Sequence, residues 1–263
     1  MSHAFKFQRS NAPLLVSVPH AGIRLDPGMA DQLTATAQAL EDTDWYVDRL
    51  YSGAGALGAG MLIAQYSRYV IDLNRPPDNA PLYETTVPGL VPEYSFGGAP
   101  LYRDGPPGAA EIERRLDHYW RPYHEALAAE LARLRSEFGY AILFEAHSIR
   151  SEVPALFEGQ LPDLNLGSFD GRSCAPGLLA AARRVLGGQD AYSHVTDGRF
   201  KGGYITRHYG QPNEGIHALQ LEMSQAIYMQ EQPPRWDAAK AQPVMTLLGR
   251  LLAGLLDWGA THA

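Results

Sequence analysis

The chain has 263 residues, 45% of them hydrophobic and 19% charged, with a formal net charge of −7 and one cysteine. That balance describes a soluble globular protein with room for a sizeable core, and the negative charge argues against nucleic acid or an anionic membrane surface as a main partner. An anionic substrate would have to be drawn in by local cations.

Cys174 cannot form an internal disulfide and fits a reducing cytoplasm. The start, "MSHAFKFQRS", has no apolar stretch of the signal-peptide kind. The most apolar late segment, 244–256, is interrupted by Arg250 and too short to span a bilayer. The expectation is a cytoplasmic protein off the membrane.

In chain order, "LLVSV" at 14–18 reads as a buried strand stopped by Pro19-His20. Residues 29–40 are weakly helical. "EDTDWYVDRLYSGAGALGAG" opens with cap-forming acids and then places Trp45, Leu50, Ala54 and Leu57 at helical spacing. Residues 61–64 and 69–73 read as two further strands. The Pro/Gly-rich stretch 74–108 has no periodicity, and a loop of that length inside a compact domain is usually functional or mobile; closure over a substrate is one role open to it.

Residues 111–138 carry the clearest helical stripe: Leu116, Trp120, Tyr123, Leu127, Leu131, Leu134 and Phe138. Pro122 predicts a kink or break within it. "YAILF" at 140–144 is a strand, 175–186 a helix, 204–206 and 218–223 strands, and 237–258 a last helix with Val244, Leu248, Leu251 and Leu255 inward. Strands alternating with helices imply a layered α/β fold with a largely parallel sheet, organised as one domain over 1–263.

Four places end a predicted element in a group that binds metal or moves protons. His20 follows the first strand, where ligands of open α/β sheets bind. Asp42 and Asp44 open a helix; Asp42 suits an N-cap, whereas Asp44 is free to face a site. "FEAHSIRS" delivers Glu145, His147, Ser148 and Arg150 past a core strand. "LQLEMSQ" buries Glu222 in an apolar run, which is costly unless a metal or cation pairs with it. Two histidines, a carboxylate and a separate glutamate base make the donor set of a catalytic zinc hydrolase. His208 and His217 stay open as ligands, while His118 and His124, six apart on one helix, do not share a face.

Cations supply the other half. Asn74-Arg75 follows a predicted strand, Arg150 follows His147 by three residues, and "GRFKGGYITRHYG" carries Arg199, Lys201 and Arg207 with no acid among them. Arginine's planar fork suits carboxylates, which points to a small substrate bearing them.

"PLLVSVPHAG", "DTDW", "YVIDLNRP", "AHSIRS", "GRFKGGYITRHYG" and "LQLEMSQ", in this order along almost the whole chain, resemble the N-formylglutamate amidohydrolase family of zinc carboxypeptidase-like hydrolases. The resemblance implies a three-layer α/β/α fold with a mixed sheet of about eight strands. It implies Zn2+ or another divalent metal on His20 and His147, Glu222 as the base, and Asn74 and Arg75 as substrate-carboxylate ligands; the cations Arg150 and Arg207 are expected as further substrate-binding residues from charge alone. Carboxypeptidases have a glutamate three residues after the first histidine ligand; here that position is Ile23, so "EDTDW" becomes the carboxylate donor, with Asp44 preferred to Asp42. The implied reaction is hydrolysis of N-formyl-L-glutamate to formate and L-glutamate, a last step of one histidine-degradation route. The rivals are a zinc amidase for another N-acyl amino acid or a peptidoglycan stem, and a non-catalytic dicarboxylate-binding protein.

Overall fold

A computed structural model of the chain describes residues 3–81 and 88–261. His262 and residues 82–87 of the expected loop therefore lie outside the described residues.

Seven strands form one sheet: β1 Phe5–Gln8, β2 Leu14–Val18, β3 Gly60–Ala64, β4 Ala141–Ile149, β5 Leu164–Gly167, β6 His194–Thr196 and β7 Ile216–Ser224, in the order β1-β3-β2-β4-β7-β5-β6. The central pairs β3-β2, β2-β4 and β4-β7 are parallel; β1 on β3 and β5 on β7 are antiparallel. The sheet is thus mixed. Every residue of β2 and β4 is buried, as befits strands covered on both faces, which read as continuous apolar runs. A separate hairpin pairs β8 Met229–Gln230 with β9 Arg235–Trp236.

The helices are α1 Met29–Gln32, α2 Ala35–Gln38, α3 Val47–Leu50, α4 Ala109–Arg115, α5 Arg121–Phe138, α6 Pro176–Gly187, α7 Tyr204–Tyr209 and α8 Ala238–Ala260. On one face of the sheet, Leu15, Leu62, Leu143 and Ala218 pack against Leu127, Leu131 and Leu134 of α5. On the other, Leu14, Val16, Phe144 and Leu221 meet Leu178 of α6 and Leu248, Leu251 and Leu255 of α8. The result is three layers. Among the described residues, no helix is long and apolar enough to cross a membrane.

Several local expectations are revised. The stripe 111–138 is α4 and α5 joined by a π turn at Leu116–Trp120, with Pro122 in the first turn of α5. Proline has no N–H to donate to the preceding turn, so the ladder is re-spaced just before it. The expected helix at 29–40 is two single turns, divided where Thr34 caps α2 by accepting from Ala37 N–H at 3.2 Å. The segment expected to be helical from 41 contains only α3 and a 3-10 turn at Ala54–Leu57.

Residues 69–73, read as a strand, form a turn. Val70 and Ile71 are buried there, but the backbone bends so that Asp72 N–H reaches Leu90 O and Arg75 N–H reaches Asp72 O. Residues 204–206, also read as a strand, begin α7. The first backbone N–H groups there are taken by side chains, Ile205 N–H by Asn74 Oδ1 and Gly203 N–H by Gln220 Oε1, both at 2.8 Å. Gly202 sits at φ 117°, where other residues are strained, and a Cβ on Gly203 would lie 2.3 Å from the Asn74 amide. Strands β1, β5 and β6 were not expected from the sequence; they are short and lie at or near the sheet edges.

Candidate active site

The carboxyl ends of β2, β4 and β7 open onto a cleft lined by His20, Asp44, Arg68, Asn74, Arg75, His147, Gln220 and Glu222, with Arg199 and Phe200 also in its wall. The parallel register between β4 and β7 sets His147 directly beside Glu222. His20 follows β2, and its carbonyl accepts from Asp44 N–H at 3.1 Å, which ties the two segments together.

One ligand atom from each of His20, Asp44 and His147 lies within 4.8 Å of the others, and all three residues are buried. Asp44 Oδ2 is 3.0 Å from His147 Nδ1 and 3.9 Å from His20 Nδ1, and it accepts from Ser148 N–H at 3.1 Å. The His20 ring turns Nε2 to Asp72 Oδ1 at 2.8 Å. Its Nδ1 is buried without a hydrogen-bond partner. A histidine whose outer nitrogen is held by a carboxylate while the inner one faces another carboxylate and a second histidine is the arrangement metal ligands adopt. The residues present therefore fit a divalent metal.

Burial lowers the His20 pKa to about 4, helped by the Arg68 cation and opposed by Asp72 and Asp44. Burial acts the same way on His147, but the Asp44 hydrogen bond and the Glu145 carboxylate 3.4 Å away outweigh it and raise His147 to about 10. Asp72 is held well below the usual carboxylate range, because Arg68, His20 and Arg75 overcome its desolvation. Burial pushes Glu222 up to about 8, against the pull of His147.

Asp42 does not cap a helix. Its Oδ2 accepts from Tyr69 O–H at 2.9 Å and Phe96 N–H at 2.8 Å, which ties down the segment carrying Phe96.

The expected substrate ligands are divided. Asn74 and Arg75 line the cleft; Arg150 and Arg207 do not. Asn74 Nδ2 lies 3.1 Å from His147 Nε2 while its Oδ1 holds α7, so the amide braces the site. Arg75 donates through Nε to Pro88 O and through Nη1 to Asn74 O. Arg150 turns toward Glu41 at 3.5 Å and Asp42 at 3.8 Å. Arg207, carried on a helix, bonds Gly202 O and lies over the Phe169 ring. Lys201 pairs with Asp170 at 2.9 Å.

Sequence reasoning passed over Asp72 and Arg68. Arg68 Nη2 holds Asp72 Oδ2 at 2.6 Å and Nη1 lies 3.9 Å from Asp44 Oδ1. Asp72 is an acid in an apolar run, the same signal that singles out Glu222. His208 stacks on Tyr204 and His217 accepts from Ala175 N–H, so neither joins the cluster.

The family model described as N-formylglutamate amidohydrolase matches residues 12–229. The chain is 52% identical to the N-formylglutamate deformylase of Pseudomonas aeruginosa, covering 98% of both chains, and 50% identical to that of Pseudomonas putida, covering 99% and 98%. A crystal structure of N-formylglutamate amidohydrolase from Ralstonia eutropha superposes with a TM-score of 0.83 at 25% identity, covering 99% of this chain and 98% of that one. A protein from Agrobacterium tumefaciens shares the fold, with a TM-score of 0.71 at 19% identity over 96% of each chain.

Proposed function

We propose, given that this chain belongs to the N-formylglutamate amidohydrolase family, that its cleft hydrolyses N-formyl-L-glutamate to formate and L-glutamate. The observation that carries this reading is the buried His20, Asp44, His147 cluster with Glu222 in register beside it.

His20, Asp44 and His147 would hold a divalent cation, zinc by the donor set, and when bound it supplies Lewis-acid polarisation of the formyl carbonyl. Asp72 orients His20, and Arg68 keeps Asp72 ionised. Asn74 steadies His147 from the other side.

Glu222 is the general base. Burial raises its carboxyl above the ordinary carboxylate range, which makes it a stronger base and suits proton transfer in both directions. Water oxygen adds to the formyl carbon as Glu222 takes its proton. The C–N bond then breaks as Glu222 returns that proton to the leaving nitrogen, which gives formic acid and the free amine; the acid's own proton passes to the amine, so one amide and one water give formate and an ammonium. Arg68, the cation nearest the ligand cluster, is placed to share the charge that develops on the carbonyl oxygen. Arg75 binds the α-carboxylate, which lies close to the scissile bond. Such a reaction suits a terminal step of histidine breakdown.

The test is formate release from N-formyl and N-acetyl amino acids, run beside metal analysis of the purified protein. Turnover of N-formylglutamate that is lost on chelation and regained with a divalent metal is the expected result. Metal-free protein that binds dicarboxylates without cleaving any member overturns it.

A further inference from the structure

A substrate with two carboxylates needs two cationic contacts, and the cleft has three arginines in its wall. They are not equivalent. Arg68 is buried and already engaged, by Asp72 at 2.6 Å and Asp44 at 3.9 Å. Arg75 is half-buried and spends Nε and Nη1 on the backbone carbonyls of Pro88 and Asn74, which leaves Nη2. Arg199 makes no hydrogen bond, ion pair or ring contact among the described residues, and it is exposed in the cleft wall. It therefore keeps its whole fork for a ligand.

Position separates the roles. Arg75 follows Asn74, whose amide reaches His147, so a carboxylate on Arg75 lies near the ligand cluster. That suits the α-carboxylate, one carbon from the scissile nitrogen. Arg199 stands on the segment before Gly202, beside Phe200. Phe200, Leu156 and Ile149 give that part of the wall an apolar surface, which suits the methylenes between the two carboxylates. We propose that Arg199 is the specificity-determining residue of this enzyme and takes the side-chain carboxylate of its substrate in its free guanidinium fork. This rests on the deformylase reading and deepens it: the preference for an acidic amino acid is assigned to one side chain.

The alternative is that Arg199 is a solvated surface charge. The two differ in what they do to substrate preference. Arg199→Leu and Arg199→Lys are compared with wild type on N-formyl-L-glutamate and on its isostere N-formyl-L-glutamine, which keeps the α-carboxylate but has a neutral side chain, with metal content and thermal midpoint measured alongside. A charge-assisted hydrogen-bonding contact is worth roughly 10- to 150-fold. The expected result for Arg199→Leu is a loss of that order in kcat/KM on N-formylglutamate, carried mostly by KM. N-formylglutamine should change by no more than about threefold, with metal and midpoint as in wild type. Arg199→Lys should recover part of the loss, since it restores charge without the fork. Equal losses on both substrates, or none on N-formylglutamate, overturn the assignment while leaving the reaction intact. Wild-type protein that releases no formate from either substrate overturns the reaction and this assignment with it.

Discussion

His20 gives its Nε2 to Asp72 at 2.8 Å, and by doing so turns a buried, unpartnered Nδ1 toward Asp44. Asp72 thus acts one bond behind the ligand cluster. Asp72→Asn should keep the fold and lower metal affinity by about 10- to 100-fold. Competition with a chromophoric chelator measures it; unchanged affinity would remove Asp72 from any role in orienting His20.

Asp44 and Asp42 are two residues apart and should fail differently. Asp44→Ala is expected to strip the metal. Asp42→Ala leaves two buried donors, Tyr69 O–H and Phe96 N–H, unpaired and should cost roughly 1–3 kcal/mol of stability with metal retained. Metal content beside urea unfolding separates them, and loss of metal from the Asp42 variant would reverse the assignment.

Glu222→Gln preserves shape but cannot accept a proton. Metal content and the unfolding midpoint should stay near wild type while kcat falls by about 10²–10⁴-fold, with kcat/KM falling in step. A variant that unfolds easily yet turns over normally in its folded fraction would make Glu222 structural.

Of Arg75, Arg150 and Arg207, the three arginines expected from the sequence to hold substrate, Arg75 should matter most for binding. Arg75→Leu is expected to cost about 1.5–3 kcal/mol in kcat/KM for N-formylglutamate. Arg150→Leu and Arg207→Leu, which remove groups outside the cleft wall, should leave KM within about threefold. A large KM effect at either would place it on the substrate.

His124 gives the fold an acid-sensitive point away from the cluster. Its Nε2 contacts Leu73 O at 2.9 Å and its Nδ1 the Tyr209 hydroxyl at 3.0 Å, and burial lowers its pKa from 6.5 to about 3. The unfolded imidazole binds its proton near 6.5, so between about 6.5 and 3 the unfolded state holds more protons. Stability therefore falls as pH falls through that window, by up to about 1.4 kcal/mol per pH unit from this group. His124→Asn should be less stable at pH 7 but show a shallower decline to pH 5. Parallel declines in denaturant titrations would exclude His124 as a source.

Much of this was legible in the sequence because the physics behind it is local. The run around Glu222 and the strand before His147 announce buried polar groups that need partners, and the stripe from Leu116 to Phe138 announces a helix facing a sheet. Asp72 and Arg68 went unread because the bend that brings them to His20 is made by long-range packing of Val70 and Ile71, which have strand-forming side chains. The same holds for Tyr204–Thr206: their β propensity yields to caps supplied by Asn74 and Gln220, far off in sequence. Charge singles out Arg150 and Arg207; the acidic and aromatic partners they turn to lie on other segments, and no spacing rule reveals those contacts.

The pairing of β4 with β7 works as a ruler. Side chains alternate faces along a strand, so a slip of one residue would send either His147 or Glu222 to the opposite side of the sheet while leaving most ladder bonds re-formed. Length changes are therefore forbidden inside Ala141–Ile149 and Ile216–Ser224 and tolerated in the connections between them, such as 150–163. A single insertion in either central strand should therefore separate His147 from Glu222, at a further cost in core packing because β4 and β7 are buried almost throughout.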